Sequence, residues 1–94
     1  MLKVLVACGN GMGSSVLIGI KAGNVLTRLG VTYTLDHSSV GDAKSRASEY
    51  DAVFCSTAFV PEFADAAKKG TKIIGIKNLL SEKEIEEGYK ANFD

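Results

Sequence analysis

The chain has 94 residues, 46% of them apolar, with 11 lysines and arginines against 11 aspartates and glutamates. That length makes one domain and leaves no room for the core of a second. The balanced charge gives no global attraction for nucleic acid or an anionic membrane, no aromatic-rich basic stripe replaces it, and no stretch approaches the roughly 20 apolar residues of a membrane span.

The first predicted element is a strand over residues 2–7, Leu-Lys-Val-Leu-Val-Ala. It is too short for a signal peptide and has Lys3 inside it, so the protein is expected in the cytoplasm. The strand runs into Cys8-Gly9-Asn10-Gly11-Met12-Gly13, and a helix opens at Ser14-Ser15. Glycines on alternate positions let the backbone curl with its N–H groups pointing inward, and Asn10 favours the tight turn. Two hydroxyl residues stand at the helix start, where free N–H donors and the dipole favour an anion. A thiol facing that nest is stabilised as the thiolate, its nucleophilic form. The pattern suits attack of sulfur on phosphorus while the loop holds the phosphoryl oxygens. Cys8 and Cys55 are the two cysteines, too few for a disulfide framework and without paired metal spacing, so neither metal nor cofactor is expected.

The helix over 14–29 carries Ile18, Ala22, Val25, Leu26 and Leu29 on one side and ends at Gly30. Gly19 and Gly23, each costing about 1 kcal/mol against alanine, share a face and allow close packing on a strand or a partner. A second strand is predicted over 31–35, with Asp36 and His37 after it, then a short polar helix over 42–49. The third strand, 52–55 with Ser56, is continuously apolar, as a strand buried on both faces should be, and Cys55 within it reads as core. A loop over 57–60 precedes a helix over 61–69 that starts with Pro61 and stops at Gly70. The fourth strand covers 72–76. Ser81-Glu82-Lys83-Glu84 then forms a capping box ahead of Ile85, Tyr89 and Phe93. The acidic run over 82–87 reads as a solvated helix face, His37 as a surface residue and Lys77 as a solvated lysine on the phosphate side. Met12, Phe59 and Val60 are expected on site-facing loops as a docking rim. The intact start and the capped last helix suggest a protein not fused to a partner.

Strands alternating with helices imply a parallel sheet with helices on both faces, Rossmann-like or flavodoxin-like, with strand order 2-1-3-4. The switch point then falls between strands one and three. The 8–13 loop and the 57–60 loop should flank a crevice there. A dinucleotide-binding reading matches Gly9 and Gly11, with Asp36 near the ribose-binding position, but its third glycine is Ser14 and a cysteine occupies the loop mouth. The ATPase phosphate loop is excluded, since no Gly-Lys-Ser/Thr is present. Low-molecular-weight cysteine phosphatases, the fold this chain resembles, read Cys, five residues, Arg, then Ser or Thr. Here the five residues end at Ser14-Ser15 and the arginine is missing. A cationic group so placed can be worth roughly 10³–10⁵ in rate, by comparison with arginine fingers. A cysteine that accepts a phosphoryl group and hydrolyses it poorly is a carrier. A phosphatase or arsenate reductase remains the alternative.

The run Cys8-Gly9-Asn10-Gly11-Met12-Gly13-Ser14-Ser15 resembles the IIB components of the phosphoenolpyruvate-dependent sugar phosphotransferase system, most of all the ascorbate (vitamin C) type. Gly11-Met12-Gly13-Ser14-Ser15 is also similar to the mannitol type, so other sugar or polyol branches stay open. Ser39-Val40-Gly41 and the run from Gly75 to Ser81 resemble the ascorbate pattern too. The resemblance implies one carrier domain over 1–94 and a relay. A IIA protein would pass phosphoryl from its histidine to Cys8, and a sugar, L-ascorbate by the closest pattern, would take it at a membrane IIC partner. It also implies that backbone N–H groups of Gly9, Asn10, Gly11, Met12, Gly13 and Ser14 hold the phosphoryl oxygens, with the Ser14 and Ser15 hydroxyls as further donors.

Overall fold

The computed structural model describes residues 1–8, 14–78 and 80–93, with the backbone alone for residues 8 and 14–16. The elements in chain order are β1 (Leu2–Cys8), α1 (Ser14–Arg28), β2 (Tyr33–Ser39) and α2 (Val40–Arg46), then a 3₁₀ turn (Ala47–Glu49). β3 (Ala52–Ser56), a 3₁₀ segment (Thr57–Phe63), α3 (Ala64–Lys68), β4 (Lys72–Ile76) and α4 (Glu82–Phe93) follow. All four strands pair in parallel in the order β2-β1-β3-β4, as expected.

The continuous apolar runs of β1 and β3 follow from their central place: Val4 to Ala7 and Ala52 to Cys55 are wholly buried. Alternation along the strands divides these residues between two cores. Val4, Val6, Ala52, Phe54, Ile74 and Ile76 meet Ile18, Ala22, Val25 and Leu26 of α1 and Ile85 of α4. On the other face Leu5, Ala7, Val53 and Cys55 meet Val40 and Ala43 of α2, Ala47, Phe63 and Ala66. The helices therefore cover both faces.

The two glycines of α1 pack on the chain's own edge strand. A Cβ on Gly19 would stand 3.1 Å from Leu35 Cδ2, and one on Gly23 would stand 2.8 Å from the Tyr33 hydroxyl. The Tyr33 hydroxyl uses that closeness to donate to the Gly23 carbonyl at 3.2 Å.

Several boundaries differ from the sequence expectation. β2 starts at Tyr33 rather than 31 and runs on through Asp36, His37, Ser38 and Ser39, because pairing with β1 continues to Cys8 opposite Ser39. Pairing overrides a composition that favours turns. α2 starts at Val40 rather than 42, since Ser39 Oγ accepts from the Asp42 N–H at 3.4 Å and caps it there. The expected loop over 57–60 is the first half of the 3₁₀ segment, where Ser56 Oγ accepts from Ala58 N at 3.4 Å. Pro61 sits inside that segment, lacks an N–H and blocks an α-helical turn, so α3 is confined to Ala64–Lys68.

The acidic run of α4 is more than a solvated face. Arg28 of α1 bonds Glu82 Oε1 through Nη1 at 3.1 Å, and Glu86 Oε1 through Nη2 at 2.9 Å. Asn24 Nδ2 donates to Glu82 Oε2 at 3.4 Å, and Lys21 Nζ lies 3.8 Å from it. These contacts clasp α4 to α1 over the first core.

Candidate functional site at the carboxyl ends of the strands

Cys8 is the last residue of β1, with Ser39 opposite it on β2. On the other side Val6 pairs with Phe54, so two residues on Cys8 stands level with Ser56, which pairs with Ile76. One row across the sheet thus reads Ser39, Cys8, Ser56, Ile76. From three strands of this row the chain turns into a helix: α1 after β1, α2 at once after β2, and the 3₁₀ segment after β3. Ser39 and Ser56 cap their helices with their side chains. β1 and β3 are neighbours although β2 lies between them in sequence, which is the expected switch point.

Gly9, Asn10, Gly11, Met12 and Gly13 lie outside the described residues, as do the side chains of Cys8, Ser14 and Ser15. Ser14 and Ser15 are the first two residues of α1.

The remaining candidates fall away from this row or serve the core. Cys55 is wholly buried, and burial pushes its thiol up to about 12, so it stays protonated at neutral pH. Phe59 and Val60 are half-buried and pack on the second core, where a Cβ on Gly75 would stand 2.6 Å from Val60 Cγ2. Val60 thus packs against Gly75 while staying half-exposed. His37 is exposed on β2 and lines a groove of about 420 Å³ with Gly19, Ile20, Gly23 and Tyr33, along the outer flank of α1.

Asp36 is occupied. Its Oδ2 accepts from the Tyr50 hydroxyl at 2.8 Å, and that hydroxyl accepts from Arg46 Nη2 at 2.6 Å. The Arg46 guanidinium also lies 5.7 Å from the Tyr50 ring centre. Burial, with the Asp36 bond behind it, pushes the Tyr50 phenol up. The sequence reading missed this trio, whose only local trace is the four-residue spacing of Arg46 and Tyr50.

Comparison with known proteins agrees with the fold and extends it. The model of the family described as PTS system, lactose/cellobiose-specific IIB subunit, matches residues 3–91. The ascorbate-specific PTS system EIIB component of Mycoplasma pneumoniae is 38% identical over 86 residues, which cover 92% of this chain and 88% of that protein. Its namesakes from Salmonella typhimurium and Escherichia coli O157:H7 are each 32% identical over 80 residues, 85% of this chain and 77% of theirs. Among solved structures, the lactose-specific IIB component domain of Streptococcus pneumoniae superposes with a TM-score of 0.74 over 99% of this chain and 98% of that one. At 17% identity that likeness establishes the fold. The chain belongs to the IIB family of the sugar phosphotransferase system.

Proposed function

We propose that this protein is a phosphocysteine carrier, one domain over residues 1–94, that takes a phosphoryl group on Cys8 and hands it to a sugar. The observation that carries the reading is the position of Cys8: last residue of a central strand, at the switch point, joined by a glycine-rich run to the start of α1. In the first step the Cys8 thiolate pair forms the S–P bond while the P–N bond of a IIA phosphohistidine breaks. The electron pair of that bond returns to the imidazole nitrogen. In the second step a sugar hydroxyl oxygen forms its bond to phosphorus, the S–P pair returns to sulfur, and the hydroxyl proton passes to a base or water at the IIC site. The N–H groups of Gly9, Asn10, Gly11, Met12, Gly13 and Ser14 hold the phosphoryl oxygens through both steps, with the Ser14 and Ser15 hydroxyls beside them.

The names of the relatives favour L-ascorbate as the sugar. The partners are then a cytoplasmic IIA donor and a membrane IIC transporter, and the carrier works in the cytoplasm between them. Among the described residues no helix is long and apolar enough to cross a membrane itself.

The test is intact-protein mass after incubation with phosphoenolpyruvate, the general phosphotransferase proteins and an ascorbate-type IIA. Wild type is expected to gain one phosphoryl group, while Cys8→Ala and Cys8→Ser gain none, because a serine hydroxyl stays protonated where the thiol ionises. Failure with several IIA types, together with turnover of a simple aryl phosphate, replaces the carrier with a cysteine phosphatase. Membranes containing the IIC partner then decide between ascorbate and other sugars.

A further inference from the structure

Lys77 follows the last residue of β4, at the same end of the sheet as Cys8. Cys8 stands level with Ser56, and Ser56 pairs with Ile76, so Lys77 is one residue past the level of Cys8 and two strands over. Two strand spacings are about 10 Å, a gap that the four-carbon stem of a lysine is built to narrow.

The backbone that carries Lys77 is braced. Asn78 N donates to Glu84 Oε1 at 3.3 Å, Asn78 Oδ1 accepts from Leu80 N at 3.1 Å, and the Asn78 carbonyl accepts from Ser81 N at 2.9 Å. Lys77 itself is exposed and lines a groove of about 360 Å³ that runs over the end of β4, from Thr57 past Gly75 to Gly88 of α4. Glu84 and Glu87 line the same groove, but Glu84 is engaged by Asn78. Lys21, Lys44 and Lys90 lie within ion-pair distance of Glu82, Glu62 and Glu86. Lys77 has no such carboxylate among the described residues.

The loop after Cys8 lacks the arginine with which cysteine phosphatases neutralise the moving phosphoryl group. We propose that Lys77 supplies this charge, its ammonium meeting the phosphoryl oxygens as the group passes to and from Cys8. This rests on the reading of Cys8 as phosphoryl carrier. Lysine gives up no proton and forms no bond. The S–P bond still forms from the thiolate pair as the P–N pair returns to the imidazole, and the ammonium only offsets negative charge on the oxygens.

The experiment compares wild type, Lys77→Met, Lys77→Arg and Cys8→Ala in rapid-quench transfer from phosphorylated IIA, over a range of IIA concentrations. Lys77→Met should lose about tenfold or more in the maximal transfer rate, keep its half-saturating IIA concentration and keep its melting temperature. Lys77→Arg should recover most of the rate. A Lys77→Met protein as fast as wild type overturns the proposal, as does a Lys77→Arg protein as slow as Lys77→Met. A rise confined to half-saturation also overturns it, assigning Lys77 to docking of the donor, and a fall in melting temperature overturns it in favour of a structural role. Absence of phosphoryl uptake by wild type is a different result, for it refutes the carrier reading itself.

Discussion

Cys55 lies between β3 and the helices of the second core, where burial alone pushes its thiol up to about 12. In the Cys8→Ala protein this thiol should resist iodoacetamide at pH 8 and react only in denaturant, a difference that peptide mass spectrometry reads directly. Its folded-state value is raised, so its contribution to stability is complete below the ordinary thiol value of 9.0. That contribution is lost as pH rises from there to about 12, because the unfolded chain ionises first. The apolar run Ala52-Val53-Phe54-Cys55 made this residue legible from sequence. The Arg46–Tyr50–Asp36 trio was not legible, because Asp36 meets residues 10 and 14 positions later only after β2 has been extended through it.

At the level of elements, a glycine in strand β4 and one in helix α2 should answer substitution in opposite senses. Gly75→Ala would place a Cβ 2.6 Å from Val60 Cγ2 and 3.3 Å from the Thr57 backbone, and should cost about 1–3 kcal/mol in urea unfolding. Gly41, in α2, has open space where its Cβ would stand, so Gly41→Ala should gain a few tenths to about 1 kcal/mol. The clasp between α1 and α4 acts on pH dependence. The hydrogen bonds from Arg28 lower the Glu82 and Glu86 carboxyls below their usual 4.5, so their contribution is present above that pH and lost as pH falls through the lowered values. Arg28→Met should flatten this acid limb in melting curves taken from pH 6 to pH 3, with little change at high salt. Helix α1, β1 and β3 were legible because periodicity is a local signal. So was one arm of the α4 capping box, where Ser81 Oγ accepts from Glu84 N at 3.4 Å; the Glu84 carboxylate accepts from Asn78 N instead of Ser81 N. The clasp was not, because 82–87 reads the same whether it faces water or an arginine from another helix.

At the scale of the whole molecule, β1 and β3 belong to both cores at once, giving Val4, Val6, Ala52 and Phe54 to one and Leu5, Ala7, Val53 and Cys55 to the other. Neither core can open without stripping these two strands. Thermal unfolding should therefore show one transition, with far-ultraviolet dichroism and the tyrosine signal, from Tyr33 and Tyr89 on one face and Tyr50 on the other, changing together; two separated transitions would contradict it. Strand order was legible because alternation of strands and helices with right-handed crossovers leaves few topologies. The lower half of β2 was hidden, since Asp36-His37-Ser38-Ser39 looks like a turn until it is paired. The same four residues sit on an edge of the sheet, where unpaired backbone invites another chain to add a strand. A carboxylate in the middle of that edge, held by Tyr50, and polar residues beyond it make a poor template for aggregation. What disguises this stretch as a loop also makes this edge of the sheet a poor place for another chain to add a strand.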